Sequence, residues 1–306
     1  MRFNNVLVTG AAGLLGRYVT AALTDVARVS GLDVVKPTTD HGLASFTEAS
    51  IEDADAVRSA MNGQDAVIHV AARPNIWSGS GSEIIHTNVT GTWNVLQAAE
   101  DAGVRRVVVT SSDSVVGYTV LQGAMLPPDY LPVDAAHPTR PTDAYAISKK
   151  LTEEMARAFV ARGKIEVVML RPVYVLYPEF ECEVVARAAD PRGYKGPAAG
   201  GRQPAGGGPM WHYVDPRDLA HAFALALDAD EPGFGPYFIT GPNTLAPEPT
   251  TERLARLMDG RRVPVTRPEI YESDPYAPLY DRAAARERLG FEPRHDLRRK
   301  LVGGRS

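Results

Sequence analysis

The sequence predicts an α/β fold, a doubly wound parallel sheet with a smaller, less regular C-terminal substrate lobe. Three observations carry this. Short β-branched runs alternate with longer amphipathic stretches as far as Leu170. A glycine-rich turn separates the first run from the first stretch. After Arg171 the texture changes. Strands alternating with amphipathic helices build βαβ units, whose right-handed crossovers cover both faces of a parallel sheet.

The first strand is expected at Val6–Val8 and the first helix at Leu14–Leu23. Strands follow at Val26–Leu32 and Ala66–Val70. The next helix spans Ile84–Ala102, where helical spacing puts Ile84, Ile85, Val89, Trp93 and Leu96 on one face. Strand Val107–Thr110, helix Tyr145–Val160 (with Leu151, Met155 and Phe159) and strand Val167–Leu170 complete a dinucleotide-binding domain of the Rossmann type, residues 1–171. Residues 172–306 read as the substrate lobe. Within it, Pro191–Pro209 holds seven glycines and four prolines, the composition of a loop. Asp215–Leu227, Thr250–Met258 and Asp281–Leu289 read as helices and Tyr237–Thr240 as a strand. The stretch 210–240 leaves room for a return to the main sheet.

Composition excludes several classes. At 306 residues, 44% apolar and 23% charged, the chain reads as globular and large enough to bury a core without staples. Lys plus Arg is 33 against 37 Asp plus Glu, so no basic excess marks a nucleic-acid or anionic-membrane surface. A single cysteine, Cys182, excludes an internal disulfide framework and a cysteine zinc site. The histidines (41, 69, 86, 137, 212, 221 and 295) show no zinc-ligand spacing, so no metal is expected. No apolar run reaches the roughly 18 residues of a membrane span. The expected setting is the cytoplasm and the expected partner a small-molecule substrate.

The opening turn reads Gly10-Ala11-Ala12-Gly13-Leu14-Leu15-Gly16. Gly10 permits a sharp turn, Gly13 leaves room for a pyrophosphate at the helix N-terminus, and Gly16 lets the helix pack on the sheet. Asp33 ends the second strand, twenty residues after Gly13, where an acid accepts from the adenosine ribose hydroxyls. A 2′-phosphate would meet its negative charge, so NAD is favoured over NADP.

Tyr145 and Lys149 stand four residues apart on one helix face. An ammonium there favours phenolate and is expected to lower the tyrosine pKa, preparing it to exchange a proton with a hydroxyl or ketone. The strand Val107–Thr110 runs into Ser111-Ser112-Asp113 at its carboxyl end, where ligands sit in open α/β sheets.

These segments together resemble an extended short-chain dehydrogenase/reductase of the NAD-dependent epimerase/dehydratase family. The likeness rests on Val8–Gly16, Val67–Ala72, Asn88-Val89-Thr90-Gly91-Thr92, Thr110-Ser111-Ser112, Val115-Val116-Gly117, Tyr145–Lys149, Arg171-Pro172, Tyr213-Val214-Asp215 and Leu289–Pro293. It implies Ser112 as catalytic serine, Tyr145 as acid/base, and Lys149 as also holding the nicotinamide ribose. It implies cofactor contacts from Gly10, Gly13, Leu14, Leu15, Gly16, Asp33, Ile51, Ala71, Ala72, Asn88, Thr110, Pro172 and Val173. On the substrate side it implies Arg73, Ser112, Asp113, Ser114, Tyr174 and Trp211. The helices Ile84–Ala102 and Tyr145–Val160 resemble the pair that forms the family's homodimer interface.

Departures from the pattern narrow the function. Tyr174 replaces the asparagine that faces the sugar diphosphate in nucleotide-sugar members, and Pro209 replaces an arginine, although Arg202 lies in the same loop. Ser114 replaces the glutamate that 4,6-dehydratases use for proton abstraction, and Ser50 an acid that contacts adenine. The leading expectation is an NAD-dependent oxidoreductase acting on a secondary alcohol or ketone of a sugar-like or other small polar substrate. The alternatives are a nucleotide-sugar 4-epimerase and a non-catalytic dinucleotide sensor.

Overall fold

The computed structural model describes residues 2–39, 41–118, 125–189 and 210–301. The whole Gly/Pro-rich stretch Pro191–Pro209, with Arg202, lies outside them. Seven parallel strands form one sheet in the order β3-β2-β1-β4-β5-β6-β7. They are β1 Asn5–Thr9, β2 Arg28–Asp33, β3 Ser45–Glu48, β4 Ala66–His69, β5 Arg106–Thr110, β6 Glu166–Pro172 and β7 Tyr237–Ile239. The order reverses between β1 and β4, and such a switch point opens a crevice at the strands' carboxyl ends.

Eleven α-helices occur among the described residues: α1 Leu14–Leu23, α2 Ala54–Met61, α3 Gly81–Ile85, α4 Gly91–Ala102, α5 Ala144–Arg162, α6 Glu181–Ala189, α7 Pro216–Asp228, α8 Thr250–Leu257, α9 Pro268–Ser273, α10 Ala283–Leu289 and α11 Leu297–Leu301. The side chains of β1 alternate across the sheet. Val6 and Val8 pack with Val19 and Leu23 of α1 and Leu219 and Phe223 of α7. Leu7 packs with Val57 of α2, Val95 of α4 and Phe159 of α5. Both faces are therefore covered.

Three readings from sequence need correction. The second strand starts at Arg28 rather than Val26, because the amides of Val26 and Ala27 both turn back to Leu23 O at 2.9 Å. The helix expected over Ile84–Ala102 is interrupted by a π-turn at His86–Thr90. That wide turn inserts a residue and rotates the face that follows. Val95, Leu96 and Ala99 turn inward, and Trp93 is left 43% exposed. Finally, β3 and α2 occupy a stretch in which no element was read. β3 is four residues at the sheet edge, and α2 is held by its cap, where Asp53 accepts from the amides of Asp55 and Ala56.

β7 comes from beyond residue 171 and pairs with Leu170–Pro172. α7 starts at the Asp215 cap with Pro216 in its first turn and packs on α1. None of the described helices is long and apolar enough to cross a membrane.

Candidate active site

A cavity of about 1220 Å³ opens at the carboxyl ends of β1, β2, β4, β5 and β6. At one end it is walled by the glycine turn. Gly10 has φ +72°, and a Cβ there would stand 2.7 Å from Ala71 N. A Cβ on Gly16 would overlap Gly10 O at 1.9 Å. Gly13 differs, since its Cβ would meet only Gly10 O, at 3.3 Å, and would occupy cavity space. The helix that follows has no side-chain cap and no acid in its first turn, so its leading N–H groups are left for an anion. Asp33 lines the same end, one carboxylate oxygen accepting from Ala12 N at 3.0 Å and the other from Val34 N at 2.7 Å. Leu14, Leu15, Ile51, Ala71 and Ala72 continue the wall toward the middle. A dinucleotide fits this cradle, with an uncapped helix for its phosphates and an anchored carboxylate for a ribose.

At the other end Ser112, Tyr145 and Lys149 converge, with Pro172 and Val173 beside them. Asp143 caps α5 by accepting from Ala146 N at 2.8 Å and so fixes the turn that carries Tyr145. Lys149 Nζ donates to Thr110 O at 2.8 Å and lies 5.8 Å from the Tyr145 ring centre. Burial brings the Lys149 ammonium down to about 8. Burial also raises the Tyr145 phenol above its ordinary value; a hydrogen bond with Ser112 opposes this, and the charges of Asp113 and Asp143 add to it. The expectation that Lys149 sets a low phenol pKa is therefore corrected for the free protein, in which burial holds the phenol above its ordinary value.

Asn88 and Thr110 stand behind the wall rather than in it. Asn88 accepts from Arg73 N at 2.8 Å and donates to Arg73 O and to Ser148 Oγ, clamping the post-β4 loop to α5. Thr110 holds Lys149 through its carbonyl and His69 O through its hydroxyl. His69 is buried between Thr9 and Thr92. Thr92 spends its proton on Asn88 O, so His69 Nε2 donates to Thr92 and Nδ1 accepts from Thr9. Burial keeps this ring neutral, its pKa near 3.

On the substrate side, Arg73, Asp113, Ser114, Tyr174 and Trp211 all line the cavity. Arg73 Nε donates to Thr87 Oγ1 at 3.0 Å, and its Nη1 to Ser78 O. Trp211 holds φ +53°, rare for a bulky residue, with its carbonyl accepting from Leu245 N and the Arg253 guanidinium 5.9 Å from its ring. Ser114 Oγ and Tyr174 OH are buried without a hydrogen-bond partner among the described residues. Asp113 accepts from Ser112 Oγ at 3.3 Å and from Tyr280 OH at 3.1 Å. Burial pushes its carboxyl up to about 6 despite those bonds. Among the described residues, no group of three or more His, Cys, Asp or Glu could hold a metal ion.

Sequence reasoning missed Asp143 and Phe180 in the cavity wall and Tyr280 behind it. Asp143 could have been found as an N-cap two residues before Tyr145; Tyr280 carries no local signal.

Comparison with known proteins agrees with this geometry. A model of the NAD dependent epimerase/dehydratase family matches residues 6–239. The chain belongs to this family. The resemblance read from the motifs thus holds across the whole seven-stranded sheet. NAD is the cofactor of this epimerase/dehydratase family.

Two curated relatives lie close in sequence. Uronate dehydrogenase of Pseudomonas syringae pv. tomato is 32% identical over 177 residues, 55% of this chain and 58% of that one. L-arabinose 1-dehydrogenase (NAD(P)(+)) of Haloferax volcanii is 33% identical over 177 residues, 56% of this chain and 67% of that one. The match thus spans less than two thirds of the uronate dehydrogenase. Among solved structures, a short-chain dehydrogenase/reductase superfamily protein from Agrobacterium tumefaciens with bound NAD is 26% identical, with TM-score 0.72, covering 98% of this chain and 95% of that one. UDP-glucose 4-epimerase from Thermotoga maritima shares the fold at 20% identity and TM-score 0.68, covering 97% and 96%.

Proposed function

We propose that the protein is an NAD-dependent oxidoreductase that interconverts a secondary alcohol and a ketone on a sugar-like substrate, with Ser112, Tyr145 and Lys149 as its working residues. The observation that carries this is convergence: the three side chains meet at one end of a cavity whose other end is a dinucleotide cradle. NAD, when bound, supplies the hydride acceptor. Ser112 orients the reacting oxygen, and Tyr145 takes the hydroxyl proton as the carbonyl forms. Lys149 holds a ribose hydroxyl and places positive charge beside the phenol. Asn88 and Thr110 serve the cofactor indirectly, through Arg73 and Lys149.

A polyhydroxylated substrate suits the remaining wall. The unpartnered Ser114 Oγ and Tyr174 OH offer hydrogen bonds that a sugar would complete, since buried polar groups left unpaired cost about 1–3 kcal/mol each. Trp211 offers a flat apolar face. The dehydrogenase relatives act, by their names, on a uronate and on L-arabinose. Tyr174 in place of a diphosphate-facing asparagine favours a free sugar over a nucleotide sugar. Residues 1–171 are assigned to cofactor binding and 172–306 chiefly to the substrate, although β7 lies in the sheet. The exposed apolar side chains of Trp93 on α4 and Ile147, Leu151 and Val160 on α5 support a homodimer through these helices. A cytoplasmic setting suits a chain with one cysteine.

The test is an NAD-reduction screen over free sugars, uronic acids, polyols and UDP-sugars. Turnover is expected on a free sugar or uronic acid. Turnover confined to a UDP-sugar, with no net NADH and NAD retained through purification, would overturn this reading in favour of an epimerase.

A further inference from the structure

Ser112 is flanked by two side chains that are both tethered to residues outside the cavity. Ser111 Oγ donates to Glu153 Oε1 of α5 at 2.6 Å. Asp113 accepts from Tyr280 OH at 3.1 Å. The tethers are joined behind the site. Glu153 receives both Nε and Nη2 of Arg171, each at 2.7 Å. The Arg171 guanidinium lies 5.3 Å from the Phe238 ring centre. Phe238 stacks on Tyr280 with centroids 4.6 Å apart and planes at 14°. The circuit Ser111–Glu153–Arg171–Phe238–Tyr280–Asp113 is closed, every member is more than nine-tenths buried, and Ser112 sits at its open corner.

We propose that Tyr280 and Glu153 are positioning residues that fix the Ser112 hydroxyl by holding its two neighbours from opposite sides. This rests on the Ser112/Tyr145/Lys149 reading above. Stability alone is a weak reason for such a circuit. A buried ion pair is often matched or exceeded by apolar residues of the same volume, and breaking one partner is what costs. Arg171 Nη1 is itself buried with no partner among the described residues. What the circuit does provide is geometry. Ser112 Oγ accepts from Ser114 N at 3.1 Å and donates to Asp113 at 3.3 Å, so its orientation depends on where Asp113 is held. Asp113 is held by a residue 167 positions away, in a segment anchored to the loop after Tyr118 by Val133 N to Leu279 O at 2.7 Å and Asp281 N to Val133 O at 2.8 Å. Through Tyr280 the C-terminal lobe sets the catalytic serine. Tyr280 and Glu153 do not line the cavity, so they act through Asp113 and Ser111 rather than on the substrate.

Tyr280→Phe and Ser111→Ala each delete one hydroxyl and leave the ring stack and the Glu153–Arg171 pair in place. Two measurements on the full chain decide the matter: amide hydrogen exchange over Ser114–Gly117, and steady-state kinetics with NAD affinity. Either variant is expected to speed exchange at the Ser114 amide several-fold, to lower kcat about tenfold, and to leave KM and the NAD Kd within twofold. The double variant should lose less than the product of the single losses, since both hydroxyls serve one frame. A lower melting temperature with unchanged kcat overturns the proposal, as does a KM that rises in step with the loss of rate. If the unmodified protein turns over no sugar, the functional reading fails on that result alone. The exchange arm still decides this one, with unchanged exchange in Tyr280→Phe and Ser111→Ala overturning it.

Discussion

The proposed nucleotide end of the cavity is made of backbone, and the proposed catalytic end of side chains. At the first, Gly10, Gly13 and Gly16 shape a turn within one stretch of chain, Asp33 is pinned by two amides, and the α1 N-terminus supplies uncapped N–H groups. At the second, Ser112 comes from the turn after β5 and Tyr145 and Lys149 from α5, all backed by groups from β6, β7 and the segment around Tyr280. Backbone sites are indifferent to most substitutions and intolerant at a few glycines. Side-chain sites depend on buried polar groups held against a desolvation cost. The pKa shifts follow that division. Asp113, Tyr145 and Lys149 are all displaced by burial, each toward its uncharged form.

The contrast is sharpest at Tyr145. Tyr145→Phe keeps the ring and removes the proposed proton-transfer group, so kcat should fall roughly 10²–10⁴-fold. The NAD Kd should hold within twofold, because the cradle's backbone is untouched. Burial raises the phenol, so alcohol oxidation by the unmodified protein should accelerate as pH rises through neutrality into the alkaline range. Near-native turnover of Tyr145→Phe on the true substrate would move the acid/base role elsewhere, with Asp113 the first candidate.

Lys149 tests the cost of the catalytic end. Its ordinary pKa is 10.5, and burial takes it to about 8. At about 1.4 kcal/mol per pH unit, the buried ammonium disfavours the folded state by roughly 3 kcal/mol at pH 7. Its folded pKa is depressed, so the associated stability is present above pH 10.5 and is lost as pH falls through 8. Lys149→Met removes that charge but orphans Thr110 O, a loss of about 1–3 kcal/mol. In thermal unfolding without NAD, the variant should melt no lower than the unmodified protein at pH 7 and fall increasingly below it as pH rises from 8 to 10. It should nonetheless lose most of its turnover. A variant less stable at pH 7 would mean that Lys149 is not held against the fold.

The same division decides what was legible in the sequence. The cradle was readable because its parts are consecutive: a strand, three glycines at fixed spacing and an acid at the next strand's end. Tyr145 and Lys149 were readable because one helical turn relates them. The fold followed from strand and helix periodicity, including the possible return of 210–240 to the sheet. The failures have a common physical form. Trp93 was assigned to the inner face because helical spacing assumes 3.6 residues per turn, and the π-turn breaks that count. β3 and α2 are too short to show a period. Tyr280 reaches Asp113 only through tertiary contact, and the burial that raises the Tyr145 phenol is a property of the packed molecule.

The smallest expected effect lies at the backbone end and tests whether a side chain matters there at all. Asp33 lines the cradle, each of its carboxylate oxygens accepting one amide. A ribose with free 2′- and 3′-hydroxyls can donate to it; a 2′-phosphate cannot, and brings like charge. Asp33→Ser shortens the side chain and removes the charge. One charged hydrogen bond is worth about 1.5–3 kcal/mol, so NAD affinity should fall about 10- to 150-fold. NADP affinity should rise or stay level, because the repulsion leaves with the carboxylate. The NAD-to-NADP ratio therefore narrows from both sides, which loosening of the turn alone would not do, since that weakens both nucleotides together. Fluorescence titration of the two cofactors against both proteins separates these outcomes. Equal NAD and NADP affinities in the unmodified protein, or an unchanged ratio in Asp33→Ser, would show that the backbone sets cofactor choice without its carboxylate.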